Sequence, residues 1–136
     1  LQGQYTSGTS SVSQMAALAA YEGNQQCVED FRKAFQRRRD IIVNLAKDIP
    51  GLKVNIPQGA FYLFPKCSSF FGKSNGKYTI NNSTDFAMYL LEEGHVATVG
   101  GDDFGSPDCF RMSYATSDDN IKEALQRIKD ALSKLK

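Results

Sequence analysis

One long amphipathic pattern, over residues 24–49, dominates the first half of the chain. Its apolar residues recur every three or four positions, which is typical of one face of an α-helix. They are Cys27, Val28, Phe31, Phe35, Ile42, Leu45 and Ile49. Pro50 and Gly51 predict the end of this helix, because proline cannot continue the hydrogen-bond ladder. We interpret the three arginines at 37–39 as a solvated face of the helix, with a phosphate or partner patch as the alternative.

Shorter patterns predict three further helices and four strands. The helices are predicted over residues 10–21, 83–94 and from 117 to the C-terminal end, and the strands over residues 52–56, 60–64, 96–99 and 109–115. Ser83 and Ser117 are the predicted caps of the last two helices. Strand 60–64 is apolar on both faces and is therefore expected in the interior of a sheet. This order predicts an α+β fold of two layers, with helices on one face of a small mixed or antiparallel sheet.

Composition narrows the class of protein. A chain of 136 residues is long enough for one domain with a core of its own. Sixteen basic and fifteen acidic residues give a net charge of +1, which argues against nucleic acid or an anionic membrane as a partner. No apolar run approaches the ~20 residues that cross a bilayer.

The cysteines and the single histidine exclude several kinds of site. Cys27, Cys67 and Cys109 are odd in number and scattered, which fits neither a disulfide framework nor a zinc motif and favours a reducing cytoplasm. We expect Cys27 in the core and the other two partly exposed. His95 is the only histidine, so no metal site is predicted.

Arg111 is the most informative single residue. On a strand its side chain points away from those of Phe110 and Met112. Its planar guanidinium, next to a glycine-rich loop, suits a carboxylate ligand, because it donates two parallel hydrogen bonds. The alternative is an arginine on an edge strand, either in solvent or paired with Asp102 or Asp103.

Four collinear segments resemble one known family. They are residues 2–7 with 14–17 (QGQYTS and QMAA), 59–65 (GAFYLFP), 96–105 (VATVGGDDFG) and 110–115 (FRMSYA). Together they resemble the C-terminal region of class I pyridoxal-phosphate aminotransferases of fold type I, most closely the bacterial aspartate aminotransferases. Gly100 stands where the family usually has proline, so the loop before Phe104 is expected to be less rigid.

The resemblance implies roles for particular residues. Arg111 would bind the substrate α-carboxylate, and Gly59 would let the chain pass close to the substrate. Gln4, Thr6 and Ser7 would lie near a dimer interface and the active site of the neighbouring subunit. Residues 1–22 would be a remnant of the large domain with a connecting helix, and residues 23–136 the small domain.

The resemblance also implies that the catalytic centre lies outside this chain. The family lysine that forms a Schiff base with pyridoxal phosphate has no match here, and we expect it upstream of Leu1. The chain begins without methionine, as a piece of a longer protein does. The expectation is an inactive C-terminal fragment of a homodimeric cytoplasmic enzyme that acts on an amino acid and a 2-oxo acid. The alternative is a self-contained α+β domain that binds a small carboxylate without catalysis.

Overall fold

The computed structural model describes residues 1–136, apart from the side chains of Gln2 and Thr6. The α-helices are α1 (Gln2–Thr6), α2 (Ser11–Glu22), α3 (Gln26–Lys47), α4 (Ser83–Gly94) and α5 (Asp118–Leu132). The strands are β1 (Tyr62–Leu63), β2 (Val99–Gly100) and β3 (Phe110–Ser113), and two short 3-10 helices cover Ser68–Phe70 and Asp102–Phe104. The predicted α+β class is confirmed.

The three strands form one antiparallel sheet in the order β1-β3-β2. In the register, Tyr62 lies opposite Ser113 and Val99 lies opposite Arg111. The central strand β3 is thus flanked by β1 on one side and by β2 on the other. This arrangement places Arg111 between β1, which is distant from it in sequence, and β2, which is the preceding strand.

Contacts divide the chain into two compact units, Leu1–Ala34 and Phe35–Lys136. The predicted boundary between residues 22 and 23 stays a prediction. In the first unit, α2 has no buried residue. The second unit contains the core, in which α3, α4, α5 and the sheet contribute large apolar side chains. They include Ile42, Val43, Leu63, Phe86, Leu90, Phe110, Ile121, Leu125 and Ile128.

The predicted long helix and the last helix are confirmed, because their apolar periodicity extends over several turns. The first half of α3 nevertheless leaves Val28 and Phe31 exposed, and burial begins near Ile42. Helix α5 begins after Ser117, whose side chain accepts a hydrogen bond from the Asn120 amide as predicted. All three arginines of the run form ion pairs, since Arg37 and Arg38 contact Asp118 and Arg39 contacts Asp40.

The predicted strands were too long, one of them does not form, and another lies at a different place in the sheet. Residues 52–56 form no strand: Lys53 makes a single bridge to Lys66, and Pro57, which has no N–H, follows. The prediction of an interior strand at 60–64 is also wrong, because β1 is a two-residue strand at the edge of the sheet. Ala60 has a left-handed backbone with φ 57°, so the strand cannot extend through it.

Two smaller expectations are corrected as well. The cap of α4 is Asn82, whose side chain accepts a hydrogen bond from the Asp85 amide, and Ser83 lies inside the helix. Cys27 is exposed because the first turn of α3 buries nothing, whereas Cys67 is fully buried. Burial raises the pKa of the Cys67 thiol to about 12, which makes it a poor nucleophile.

Candidate functional site

The candidate site is centred on Arg111, the second residue of β3. Its neighbours Phe110 and Met112 are buried in the core, and Arg111 lies half-buried on the opposite face, as the strand alternation predicts. Since β3 is the central strand, Arg111 is not on an edge of the sheet. That part of the alternative interpretation is wrong.

Two aromatic rings contact the guanidinium of Arg111. Its Cζ atom lies 4.5 Å from the centroid of the Tyr62 ring and 4.4 Å from that of the Phe104 ring. Tyr62 belongs to β1, and Phe104 ends the 3-10 helix that follows β2, so the rings come from the two elements that flank β3. A guanidinium is attracted to the faces of aromatic rings, and this attraction increases as water is excluded. We call these three side chains the arginine clamp.

The guanidinium N–H groups of Arg111 have no hydrogen-bond partner among the residues that the structure describes, and no described carboxylate forms an ion pair with the guanidinium. The expected alternative partner Asp102 instead accepts hydrogen bonds from Ser83 and Thr84. A guanidinium offers five N–H donors in one plane. Because it is half-buried, contacts two rings and pairs with no described carboxylate of the chain, it is suited to bind a planar carboxylate from outside the chain.

A hydrogen-bond network, here called the Ser83 anchor, fixes the turn that carries Phe104. The Ser83 hydroxyl is fully buried, donates to Asp102 Oδ2 at 2.8 Å and accepts from the Gly101 amide at 3.0 Å. The Thr84 hydroxyl donates to the same Asp102 oxygen at 3.1 Å. Sequence reasoning missed this network, because it interpreted Ser83 as a helix cap and considered Asp102 as a partner of Arg111.

The turn before β1 is held from β3. The Tyr114 hydroxyl donates to the Ala60 carbonyl oxygen at 2.9 Å, and the Tyr114 amide donates to the Phe61 carbonyl oxygen at 2.9 Å. Gly59 in this turn is exposed, and no described atom lies within 4 Å of where its Cβ would be. The space beside Gly59 is therefore open.

The residues predicted near a dimer interface lie at the other end of the chain. Gln4 and Ser7 are exposed, and Ser7 has a left-handed backbone at the end of α1. The side chain of Thr6 lies outside the described residues.

Two lysines outside the helices, Lys66 and Lys77, are held by neighbouring side chains. A hydrogen bond to Asp108 raises the pKa of Lys66, and hydrogen bonds to Tyr78 and Glu93 raise that of Lys77. A raised pKa keeps an ammonium protonated, whereas a nucleophilic lysine needs a lowered one. Among the residues that the structure describes, no three His, Cys, Asp or Glu side chains form a group that could hold a metal ion. No helix in the described part of the chain is long and apolar enough to cross a membrane.

Comparison with known proteins gives one consistent result. The family model "Aminotransferase class I and II" matches residues 1–128. The chain is 47% identical over 137 aligned residues to an aspartate aminotransferase of Rhizobium meliloti, an alignment that covers 99% of this chain and 33% of that protein. It is 45% identical to a bifunctional aspartate aminotransferase and glutamate/aspartate-prephenate aminotransferase of Petunia hybrida, covering 100% of this chain and 29% of that protein.

Solved structures agree with the sequence comparison. The aspartate aminotransferase structure from Rhizobium meliloti superposes with a TM-score of 0.91 at 46% identity, covering 99% of this chain and 34% of that one. An alanine aminotransferase from Pyrococcus furiosus gives a TM-score of 0.77 at 30% identity, covering 88% and 29%. The chain thus spans about a third of the length of the relatives that it matches.

Proposed function

Because this chain belongs to the class I and II aminotransferase family, we propose that the full-length protein transfers an amino group between aspartate and a 2-oxo acid. The support for aspartate is that the relatives from Rhizobium meliloti and Petunia hybrida are aspartate aminotransferases. In this proposal the 136 residues described here supply the site for the substrate α-carboxylate.

The arginine clamp is the observation that carries the proposal. Arg111 has no described ion-pair partner, its guanidinium is half-buried, and two rings restrict it. A carboxylate that accepts two parallel hydrogen bonds from it is fixed in both position and rotation. Orienting the substrate in this way presents one bond at its α-carbon to a catalytic base. The reacting groups are then held together in the geometry that the reaction needs.

The family cofactor is pyridoxal phosphate, which when bound supplies an electron sink for charge that develops at the substrate α-carbon. Two observations support a lysine elsewhere: no lysine of this chain lies in a segment that resembles the family's lysine motif, and Lys66 and Lys77 are paired with neighbouring side chains. In this proposal the Schiff-base lysine belongs to a part of the full-length protein outside these 136 residues. The chain alone is then inactive.

The remaining parts of the proposal rest on the family. The full-length protein would be a homodimer, with Gln4, Thr6 and Ser7 near the interface and the partner's active site. Gly59 would line the substrate path, and the open space at its Cβ position is compatible with a ligand there. A reducing cytoplasm is proposed because all three cysteines are free thiols.

The experiment compares the 136-residue chain with the full-length protein. Each is incubated with pyridoxal phosphate and reduced with borohydride, and then assayed for an attached lysine adduct and for turnover of aspartate with 2-oxoglutarate. The proposal expects both signals from the full-length protein and neither from the 136-residue chain. A stoichiometric adduct with turnover in the short chain would overturn the assignment of the lysine, and a full-length protein without transaminase activity would overturn the function.

A further inference from the structure

We propose that Phe104 and Tyr62 are positioning residues, which hold the guanidinium of Arg111 in the orientation that a carboxylate needs. The hydrogen bonds of the Ser83 anchor in turn hold Phe104 against Arg111. This inference deepens the proposed function and rests on it, since the carboxylate is that of the substrate. Neither aromatic residue touches the reacting atoms in this account, and both act through Arg111.

The need for such a device follows from the chemistry of arginine. The side chain is long and has several rotatable bonds, so an unpaired guanidinium in water samples many orientations. A ligand that has to immobilise the guanidinium loses affinity, whereas a ligand that binds a guanidinium already held in place does not. Tyr62 and Phe104, at 4.5 Å and 4.4 Å from Cζ, reduce this sampling before the ligand arrives and leave the N–H donors unpaired.

Phe104 needs support of its own, because it is 46% exposed and lies at the end of a 3-10 helix of three residues. One support is Phe64, whose ring meets the Phe104 ring edge to face with centroids 6.1 Å apart. The next residue, Gly105, has φ 68°, a left-handed conformation that ends the turn and that a larger side chain rarely adopts. The contact with Phe64 and the turn at Gly105 therefore both restrict the position of Phe104.

The Ser83 anchor supports the same turn from helix α4. Asp102 begins the 3-10 helix that Phe104 ends, so a shift of Asp102 moves Phe104 with it. Gly101 donates its amide to Ser83, and a Cβ at Gly101 would overlap the carbonyl oxygens of Ser106 and Cys109. The backbone at Gly101 is close-packed, and the hydrogen bonds from the Ser83 and Thr84 hydroxyls to Asp102 restrict the position of the turn.

The first test is kinetic and uses the full-length enzyme. Phe104→Leu keeps the apolar volume and removes the aromatic face, whereas Phe104→Tyr keeps the face. We expect Phe104→Leu to raise KM for both the amino acid and the 2-oxo acid roughly fivefold, the size of one cation–π contact, with kcat changed less than twofold. Phe104→Tyr should have the same KM as the unmodified enzyme. Equal kinetics for Phe104→Leu and the unmodified enzyme would overturn the positioning role.

The second test separates the anchor from the charge of the turn. Asp102→Ala removes the acceptor of the two hydroxyl hydrogen bonds, and Asp103→Ala removes the same charge one residue further on, where no hydrogen bond or ion pair joins it to a described residue. We expect KM to rise roughly threefold or more in Asp102→Ala, because loss of the anchor would weaken the cation–π contact between Phe104 and Arg111. KM should stay unchanged in Asp103→Ala. The same change in both variants would contradict the anchor.

A third readout does not depend on activity and uses the 136-residue chain. In an NMR spectrum, ring currents from Tyr62 and Phe104 should shift the side-chain Nε proton of Arg111 upfield, and Phe104→Leu should reverse part of that shift. Absence of the shift would overturn the clamp.

If Arg111→Lys leaves KM unchanged in the full-length enzyme, the part of the proposed function that assigns the substrate carboxylate to Arg111 fails. If Arg111→Lys raises KM while Phe104→Leu does not, only the present inference fails.

Discussion

Arg111 shows how far single residues could be interpreted from the sequence. Its direction on the strand followed from the alternation with Phe110 and Met112, and its chemistry followed from the planar guanidinium. Its two aromatic contacts did not, because Tyr62 and Phe104 reach it only through the order of strands in the sheet. The role of Ser83 was also hidden, since a buried serine and a capping serine look alike in sequence.

A prediction at the residue scale concerns the hydroxyl of Tyr114. Tyr114→Phe removes the hydrogen bond to the Ala60 carbonyl oxygen and leaves that acceptor without its partner. We expect the free energy of unfolding to fall by about 1 kcal/mol in urea titrations. The matched control is Tyr78→Phe, whose hydroxyl bonds an exposed carboxylate of Glu92 and should contribute little. Equal losses in the two variants would contradict this assignment.

The helices were predicted better than the strands, for a physical reason. A helix such as α5 repeats its apolar positions over four turns, so one misplaced residue changes little. The strands are two to four residues long and are defined by pairing with distant segments. Residues 96–98 have the composition of a strand, yet the chain is still leaving α4 there, and the Val96 amide bonds back to the Leu90 carbonyl oxygen.

At the scale of helices, the two serine caps give a matched pair. The side chain of Ser117 accepts the Asn120 amide at the start of α5, whereas Ser10 at the start of α2 makes no such bond. We expect Ser117→Ala to lower the free energy of unfolding by about 1 kcal/mol. Ser10→Ala should leave it unchanged. A larger effect at Ser10 than at Ser117 in the same urea titration would contradict the cap assignment.

The first turn of α5 also predicts a dependence on pH. The hydrogen bond from Arg37 holds the pKa of Asp118 below its ordinary value. A lowered pKa in the folded state stabilises the protein above the ordinary pKa, and this contribution is lost as the pH falls through the lowered one. The difference in urea midpoint between the unmodified chain and Asp118→Asn should therefore be larger at about pH 5 than at about pH 2.5.

Asp119→Asn is the control for this experiment. Asp119 lies in the same turn, has the same charge, is 94% exposed and has only Lys122 at 3.5 Å as an ion-pair partner. Its substitution should leave the dependence on pH as it is in the unmodified chain. If Asp119→Asn removes the dependence and Asp118→Asn does not, the contact between α3 and α5 is not its cause.

For the whole molecule, the resemblance found in four short segments was confirmed over nearly the full length. The family model matches residues 1–128, and the fold is that of a small α+β domain of fold-type I aminotransferases. Four collinear segments identified the family because each keeps its place in the order of the chain. Composition and charge could not have done so, since they describe an ordinary small domain.

The surface of the first unit predicts how the isolated chain behaves. Tyr5, Val12, Met15 and Tyr21 are exposed, an arrangement typical of surfaces that are covered in a larger assembly. We expect the 136-residue chain to bind a hydrophobic dye, and Val12→Ser with Met15→Ser to reduce that binding. Glu22→Gln, on the same helix, should not. A monodisperse monomer without dye binding would favour the self-contained carboxylate-binding domain instead.

The measurement that most directly tests the central claim is the steady-state kinetics of Arg111→Lys in the full-length protein. Lysine keeps the charge but cannot donate two parallel hydrogen bonds. The loss of a charge-assisted bidentate contact predicts a fall in kcat/KM for aspartate and for 2-oxoglutarate of about tenfold or more. Unchanged kcat/KM for both substrates would contradict the claim that Arg111 binds the carboxylate.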